Sequence, residues 1–497
     1  MKIKLLSLLL ALSQFTFAQR GGPQSKNELH NRSFWQTQPT VEAVKQKIKE
    51  GNDAVTPNGA AFDAVCYAIM AKAPVKTIEY LLSLPGNDIN KPTHDGRSYL
   101  MWAGYSGDIP TMELLLSKGA DINIAGSHGF TWFTFTLNAG HENTKIYDLM
   151  AANGIDLKST TRTGANAIML LAAHSKDEKI IKYFQQKGVD AHAKDNNGNN
   201  VLFYAAQRGN LSLIKNFINK GFDYKLLNNK GENLVLYASH GGRGSSNSIE
   251  VFKYFDSLGL NMNLSNQENQ NALHFVCSNT KDVNIIDYFI NKGANIHQKD
   301  TQGNTPFLNA CRGGNILAVN KLLPQVKNIN QKNNEGISAV IYATQRINKE
   351  LLDVLLANNV QLDVVDKDGN NLYYYLFNAY NNRSKAHFND FINVLKQNNI
   401  SFTKAASNTT PLHIAIEKGQ VDLILTAIEL GANINQKNSD GLTPLHLSAM
   451  KATNDKILKL LLSKGADKSI LTDFEESTYD LAAENELLKN TDITFLK

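Results

Sequence analysis

Few residues in this chain have the type and spacing that chemistry needs. His141-Glu142 begins like a zinc-peptidase helix, in which two His one turn apart hold the metal and the Glu acts as base, but the second His is missing. No Cys or His pair has zinc-finger spacing, and no Asp-x-Asp-x-Asp-Gly calcium loop occurs among the scattered acids. The run His240-Gly241-Gly242-Arg243-Gly244-Ser245-Ser246 has the glycines that let backbone N–H groups approach a phosphate. It lacks the P-loop Lys and a preceding strand, so it reads as a flexible inserted loop. No catalytic, cofactor-binding or metal-ligating residue is assigned, and no enzyme is expected.

Export is expected from the N-terminus. Lys2 and Lys4 precede the short apolar stretch Leu5 to Leu12, and Thr16-Phe17-Ala18 places small residues before a cut. Residues 1–18 therefore read as a signal peptide and 19–29 as a flexible segment, with no Cys after Ala18 for a lipid anchor. Asn-, Lys- and Ile-rich usage hints at an AT-rich bacterial genome, which makes the periplasm the first address and the cell exterior the second. No later segment is apolar enough to span a bilayer. The formal charge of +5 falls to +3 without Lys2 and Lys4, too small to argue for nucleic acid or an anionic membrane. Export permits disulfides, yet only Cys66, Cys277 and Cys311 are present. Cys277 and Cys311 sit at matching positions and read as small core residues, with a redox pair as the alternative.

One pattern recurs along the chain. Asp440-Gly441-Leu442-Thr443-Pro444-Leu445-His446 and Asn408-Thr409-Thr410-Pro411-Leu412-His413 are its clearest copies. Fainter ones begin at Gly59, Gly96, Gly129, Gly164, Gly198, Gly231, Asn269, Gly303, Gly336, Gly369 and Glu475, spaced by 33 to 39 residues. This period and motif resemble the ankyrin repeat. The resemblance covers roughly residues 30–490 and implies an all-α solenoid of about twelve units, residues 30–497, with degenerate caps at 30–57 and 475–497.

The Gly96 unit shows the local logic. His94-Asp95-Gly96 is a turn tip; Tyr99 to Tyr105 forms a short inner helix with Leu100, Ala103 and Gly104 inward. Pro110 opens an outer helix whose Met112, Leu115 and Leu116 fall at i, i+3, i+4, and Lys118-Gly119 ends it with a left-handed cap. In the family, the motif His bonds backbone between neighbouring repeats. Here only His274, His413 and His446 occupy that place, so the other units are expected to rely on apolar stacking. A slower rhythm appears as well: Ala165 to Asn210 resembles Gln270 to Asn315, as if blocks of about three repeats had been duplicated.

The resemblance also implies a non-catalytic scaffold that binds a protein partner along its concave face. Carried over position by position, the contact residues are Tyr105, His174, Gln207, Arg208, His240, Arg312, Gln345, Arg346 and Lys418. This stripe is basic and hydrogen-bonding on a nearly neutral chain. Either it docks an acidic or polar protein surface, anchored by Arg208, Arg312 and Arg346, or it is a solvated face that avoids acids. The insertions at 243–248 and 380–389 are expected to be exposed and irregular, the second carrying Tyr380, Arg383, His387 and Phe388. Alternatives for the whole are a secreted effector binding host proteins, an envelope-associated structural protein, or an accessory to an oxidative-stress enzyme.

Overall fold

The computed structural model describes residues 26–175, 178–242, 246–402 and 409–497. The expected signal peptide, most of the 19–29 segment, Arg243 to Ser245 and the tip Asn408 lie outside the described residues. The chain divides into two compact units, residues 1–224 and 225–497. Both are helical, and no strand occurs among the described residues.

In the first unit the short helices Arg32–Gln36 and Val41–Lys49 lead into alternating inner and outer helices: Ala64–Met70 with Val75–Leu82, Tyr99–Ser106 with Ile109–Ser117, Trp132–Leu137 with Thr144–Ala152, Ala167–Ala172 with Lys179–Gln186, and Val201–Gln207 with Leu211–Asn219. The second unit repeats the plan from Leu234–Ser239 with Ile249–Ser257 to Pro444–Lys451 with Lys456–Ser463, and closes on Thr478–Glu484. Inner helices are almost wholly buried. Gly104 shows why small residues are needed there: a Cβ on it would meet Thr136 Oγ1 and come within 2.7 Å of Trp132 Nε1 on the next inner helix.

Each described tip is a five-residue turn closed by two backbone bonds. At Gly231, Gly231 N–H donates to Asn228 O (2.9 Å) and Asn228 N–H to Glu232 O (3.0 Å). The closing residue is left-handed, which glycine adopts without a Cβ clash. Of the three expected tips without glycine, the two among the described residues keep that conformation, Asn269 at φ 58° and Glu475 at φ 65°. The first tip corrects the sequence reading. Asn58 N–H bonds Phe62 O, and Ala61 takes φ 58°, so the tip is Ala61 and not Gly59. The Asn-Gly dipeptide imitated a tip that lies two residues on.

Four repeats that lack the motif His are not held by apolar stacking alone. In these the Asn that caps the inner helix does two jobs. Asn166 Oδ1 accepts from Met169 N–H (3.0 Å) while its Nδ2 donates to Asp190 O (2.7 Å) beyond the following outer helix. Asn233 bridges Leu236 and Asn261 in the same way, at 3.0 and 2.9 Å. Asn200 and Asn371 do likewise, donating to Asp223 O and Ser401 O at 3.3 Å. Where His is present it meets backbone of the neighbouring repeat as expected: His413 Nε2 lies 3.0 Å from Leu442 O and His446 Nε2 2.9 Å from Ile470 O.

A second polar device joins neighbours. Asn210 caps its outer helix and donates Nδ2 back to Ala172 O (3.0 Å) and Ser175 O (2.7 Å), two open carbonyls at the end of the preceding inner helix. Asn315 does the same to Cys277 O (3.0 Å) and Thr280 O (2.8 Å). Each of the three residues in the second set stands 105 positions after its counterpart in the first, in line with the inferred block duplication.

The insertion at 380–389 is not irregular. It starts a long outer helix, Lys385–Gln397, and Tyr380 and Phe388 pack as buried rings 4.8 Å apart. Arg383 and His387 remain exposed. The aromatic pair reads as interface-like in sequence because burial by an extra helical turn leaves no mark there. The three cysteines are buried and unbridged, and burial raises the thiol pKa of Cys277 and Cys311.

Candidate protein-binding face

In the first unit, Tyr105 is half-buried and stacks on Phe135 with ring centroids 4.7 Å apart, edge-on to Trp102 at 6.2 Å. Its carbonyl is taken by His141 Nε2 at 2.9 Å, which gives His141 a structural task rather than a metal. Arg97 lies over Phe135 at 4.5 Å and binds Asp95 at 2.9 Å, with His94 and His128 on the same carboxylate oxygen at 3.5 and 3.7 Å. His174 packs against the Gly140 turn; its pKa is lowered, first by desolvation and then by the Arg208 charge. Gln207 is half-buried and Arg208 exposed.

In the second unit, His240 is half-buried and stacks on Phe275 at 4.0 Å. Its Nε2 stands 3.1 Å from Oε1 of Glu232, a carboxylate only 1% exposed. Burial opposes ionisation of Glu232, yet contacts from His240, Asn228 and Asn266 outweigh it and hold its pKa below the ordinary value. Arg312, Gln345 and Arg346 are exposed, and Lys418 is half-buried. Two of these residues have internal work: Arg346 Nη1 donates to Arg312 O (3.0 Å) and Lys418 Nζ to Tyr380 O (3.3 Å). Each caps the end of the preceding inner helix, as Asn279 does for His240 O at 3.0 Å.

The face thus keeps its predicted residues at inner-helix ends, but divides them into caps and free charges. Among the described residues, neither Arg208, Arg312 nor Arg346 has a carboxylate within ion-pair distance. Sequence reading missed the ring column beside them, Trp102 and Phe135 in the first unit and Tyr237, Phe275, Tyr342 and Tyr375 in the second. The signal was available: these residues stand six positions past their tips. A cleft of about 350 Å³ opens in the second unit, lined by Gln345, Tyr374, Tyr375, Asn378 and Ala379.

The tips are also tied to one another. Gln267 N–H donates to Lys230 O (2.9 Å), Thr301 to Glu268 O (3.0 Å), Asn334 to Gln302 O (2.9 Å) and Lys367 to Glu335 O (3.0 Å). These are backbone bonds, so side chains at the tips can vary without loosening the row. No cluster of three or more His, Cys, Asp or Glu among the described residues is placed to hold a metal. No described helix is long and apolar enough to cross a membrane.

A family model for ankyrin repeats in three copies matches residues 135–228, 168–254, 234–333 and 376–472, and the single-repeat model matches 95–127. Among curated relatives, the human transient receptor potential cation channel subfamily A member 1 is 28% identical over 192 residues, covering 37% of this chain and 16% of the channel. Mouse Rabankyrin-5 is 28% identical over 174 residues, 34% of this chain and 14% of its own length. Human protein fem-1 homolog C is 32% identical over 102 residues, 18% of this chain and 16% of its own. This chain therefore spans only a minor part of these relatives. Of solved structures, the human ASB11 ankyrin repeat domain is similar at 24% identity and TM-score 0.28, covering 52% of this chain and 96% of that one. A Bdellovibrio bacteriovorus predatory endopeptidase in complex with an immunity protein is similar at 23% identity and TM-score 0.29, covering 38% and 97%.

Proposed function

The chain belongs to the ankyrin-repeat family, and from that premise we propose that it is an exported, non-catalytic scaffold that holds an acidic or polar protein partner against its inner-helix ends. Ankyrin repeats generally mediate protein–protein interaction. The observation that carries the finer reading is the unpaired state of Arg208, Arg312 and Arg346 on exposed helix ends. A guanidinium offers five N–H donors in a planar fork suited to carboxylates. Arg346 spends one donor on Arg312 O, which fixes its direction and leaves the rest for a ligand. Export, with the periplasm as first address, rests on residues 1–18.

Crosslinking the protein in its own cell, followed by mass spectrometry, tests the proposal. The Arg208→Glu/Arg312→Glu/Arg346→Glu protein should lose its partner by about tenfold or more, since reversal turns attraction into repulsion. Undiminished capture would remove the arginines from the interface.

A further inference from the structure

We propose that the cleft between the inner helices Ala339–Gln345 and Leu372–Ala379 docks an extended acidic segment of the partner, with an aromatic side chain seated on Tyr374 and Tyr375. This rests on the scaffold reading above and names the chemistry of one site within it. The cleft, at about 350 Å³, falls at the low end of the ~300–1,000 Å³ typical of ligand pockets. It is wide open to solvent and has room for one or two side chains. Its walls are two rings and two amides. Tyr374 and Tyr375 stand edge to face with centroids 5.4 Å apart. The hydroxyl of Tyr375 donates to Asp366 Oδ2, which holds that ring in place and leaves its face for contact. Asn378 Nδ2 is spent on Tyr374 O at 3.2 Å. An aromatic guest has an edge-to-face partner available in this geometry.

The charge beside the cleft selects what accompanies the ring. Arg346 follows the lining residue Gln345 directly, and Arg312 lies one repeat back with its carbonyl on the Arg346 guanidinium. Both are exposed and neither has a carboxylate in ion-pair range among the described residues. Of the acids near the cleft, Asp366 takes Tyr375 and Asn370 and Glu335 pairs with Lys367, while Asp368 stays exposed on the hydroxyl side of Tyr375, away from the arginines' sequence end of the neighbouring helix. Complementarity therefore asks for carboxylates on the guest. Because Arg346 is already oriented by its bond to Arg312 O, little ordering is lost when a carboxylate arrives.

The test is fluorescence polarisation with the full chain and three labelled hexapeptides, alternating Glu and Tyr, Glu and Gly, or Lys and Tyr. The Glu–Tyr peptide should bind, weaken as salt rises, and exceed the Glu–Gly peptide by about tenfold. The Lys–Tyr peptide should not bind. Arg346→Glu and Tyr374→Ala should each weaken the Glu–Tyr peptide by about tenfold. Gln345→Glu, at an exposed position, should weaken it too. Equal binding of Glu–Tyr and Glu–Gly peptides, insensitive to Tyr374→Ala but sensitive to Arg346→Glu, would overturn the cleft and spare the charged face. Binding insensitive to Arg346→Glu, or no binding of either acidic peptide, would overturn both.

Discussion

The outer helices and the inner-helix ends of the same repeats treat charge in opposite ways. On the outer helices, a Lys near the end of one repeat reaches back to an acid of the repeat before: Lys118 to Glu79 at 3.0 Å, Lys187 to Asp148 at 3.1 Å and Lys220 to Glu178 at 2.7 Å in the first unit. The second unit has Lys292 to Asp256 at 2.6 Å and Lys321 to Asp287 at 2.7 Å. Two of these are built alike, with Tyr183 OH on Asp148 and Tyr288 OH on Asp256, both at 2.8 Å. On the inner-helix ends Arg208, Arg312 and Arg346 have no such acid. Exposed pairs contribute only about 0–1 kcal/mol each, so the outer pairs matter less for stability than for charge. They cancel charge locally, whereas the three arginines keep theirs.

Stability and binding should therefore separate along neighbouring residues. The largest effect is expected at Gly313, next to Arg312. A Cβ there would fall 2.9 Å from Ser278 C and Cα, backbone atoms that cannot step aside. Gly313→Ala should cost about 1–3 kcal/mol or more by overpacking, read as a lower midpoint in denaturant, whereas Arg312→Ala should stay within about 0.5 kcal/mol of the parent. Similar losses at the two positions would break the contrast.

Asn315 comes next. Asn315→Ala removes the donor to Cys277 O and Thr280 O together with a helix cap, and should cost about 1–3 kcal/mol. Asn210→Ala should match it in the first unit. Peptide or partner affinity at native temperature should not change, which sharpens the division between residues that join repeats and residues that meet a ligand.

A smaller effect is expected with pH. Desolvation lowers the pKa of His274, His413 and His446 below 6.5, against the pull of their carbonyl acceptors. At His446 a second proton would also displace a bond, because Thr443 N–H donates to its Nδ1 (3.1 Å). As pH falls below 6.5 the unfolded chain takes up protons first. Stability contributed by these rings is present above that value and is lost as pH drops through the lowered native pKa. Thermal melts from pH 8 to 5 should decline, and less steeply when the three are changed to Leu, the residue that Leu236 and Leu308 already supply at this place.

How far the sequence carries depends on whether a feature is local. Tips, caps and core stripes are local, and Asn269 and Glu475 kept the expected left-handed turn without glycine. The motif histidines were legible because one residue type marks the place. The bridging asparagines were not, because Asn166, Asn200 and Asn233 look like ordinary helix caps and their second bond reaches a loop more than twenty residues away. Gly59 misled because two glycine-compatible turns compete within four residues, and the backbone chose Ala61. Register puts the expected contact residues at inner-helix ends. Which members are free and which cap a neighbour, as Arg346 and Lys418 do, is decided only by packing between repeats.

The difference between the two faces is tested most directly by matched neutralisation. Arg208→Ala/Arg312→Ala/Arg346→Ala and Lys187→Ala/Lys220→Ala/Lys292→Ala each remove three positive charges, the first set without a carboxylate partner and the second paired with acids. Partner recovery after crosslinking in the native cell should fall by about tenfold or more for the first and stay within about twofold for the second. Equal losses from both would contradict the account, because net charge and not the unpaired inner face would then govern binding.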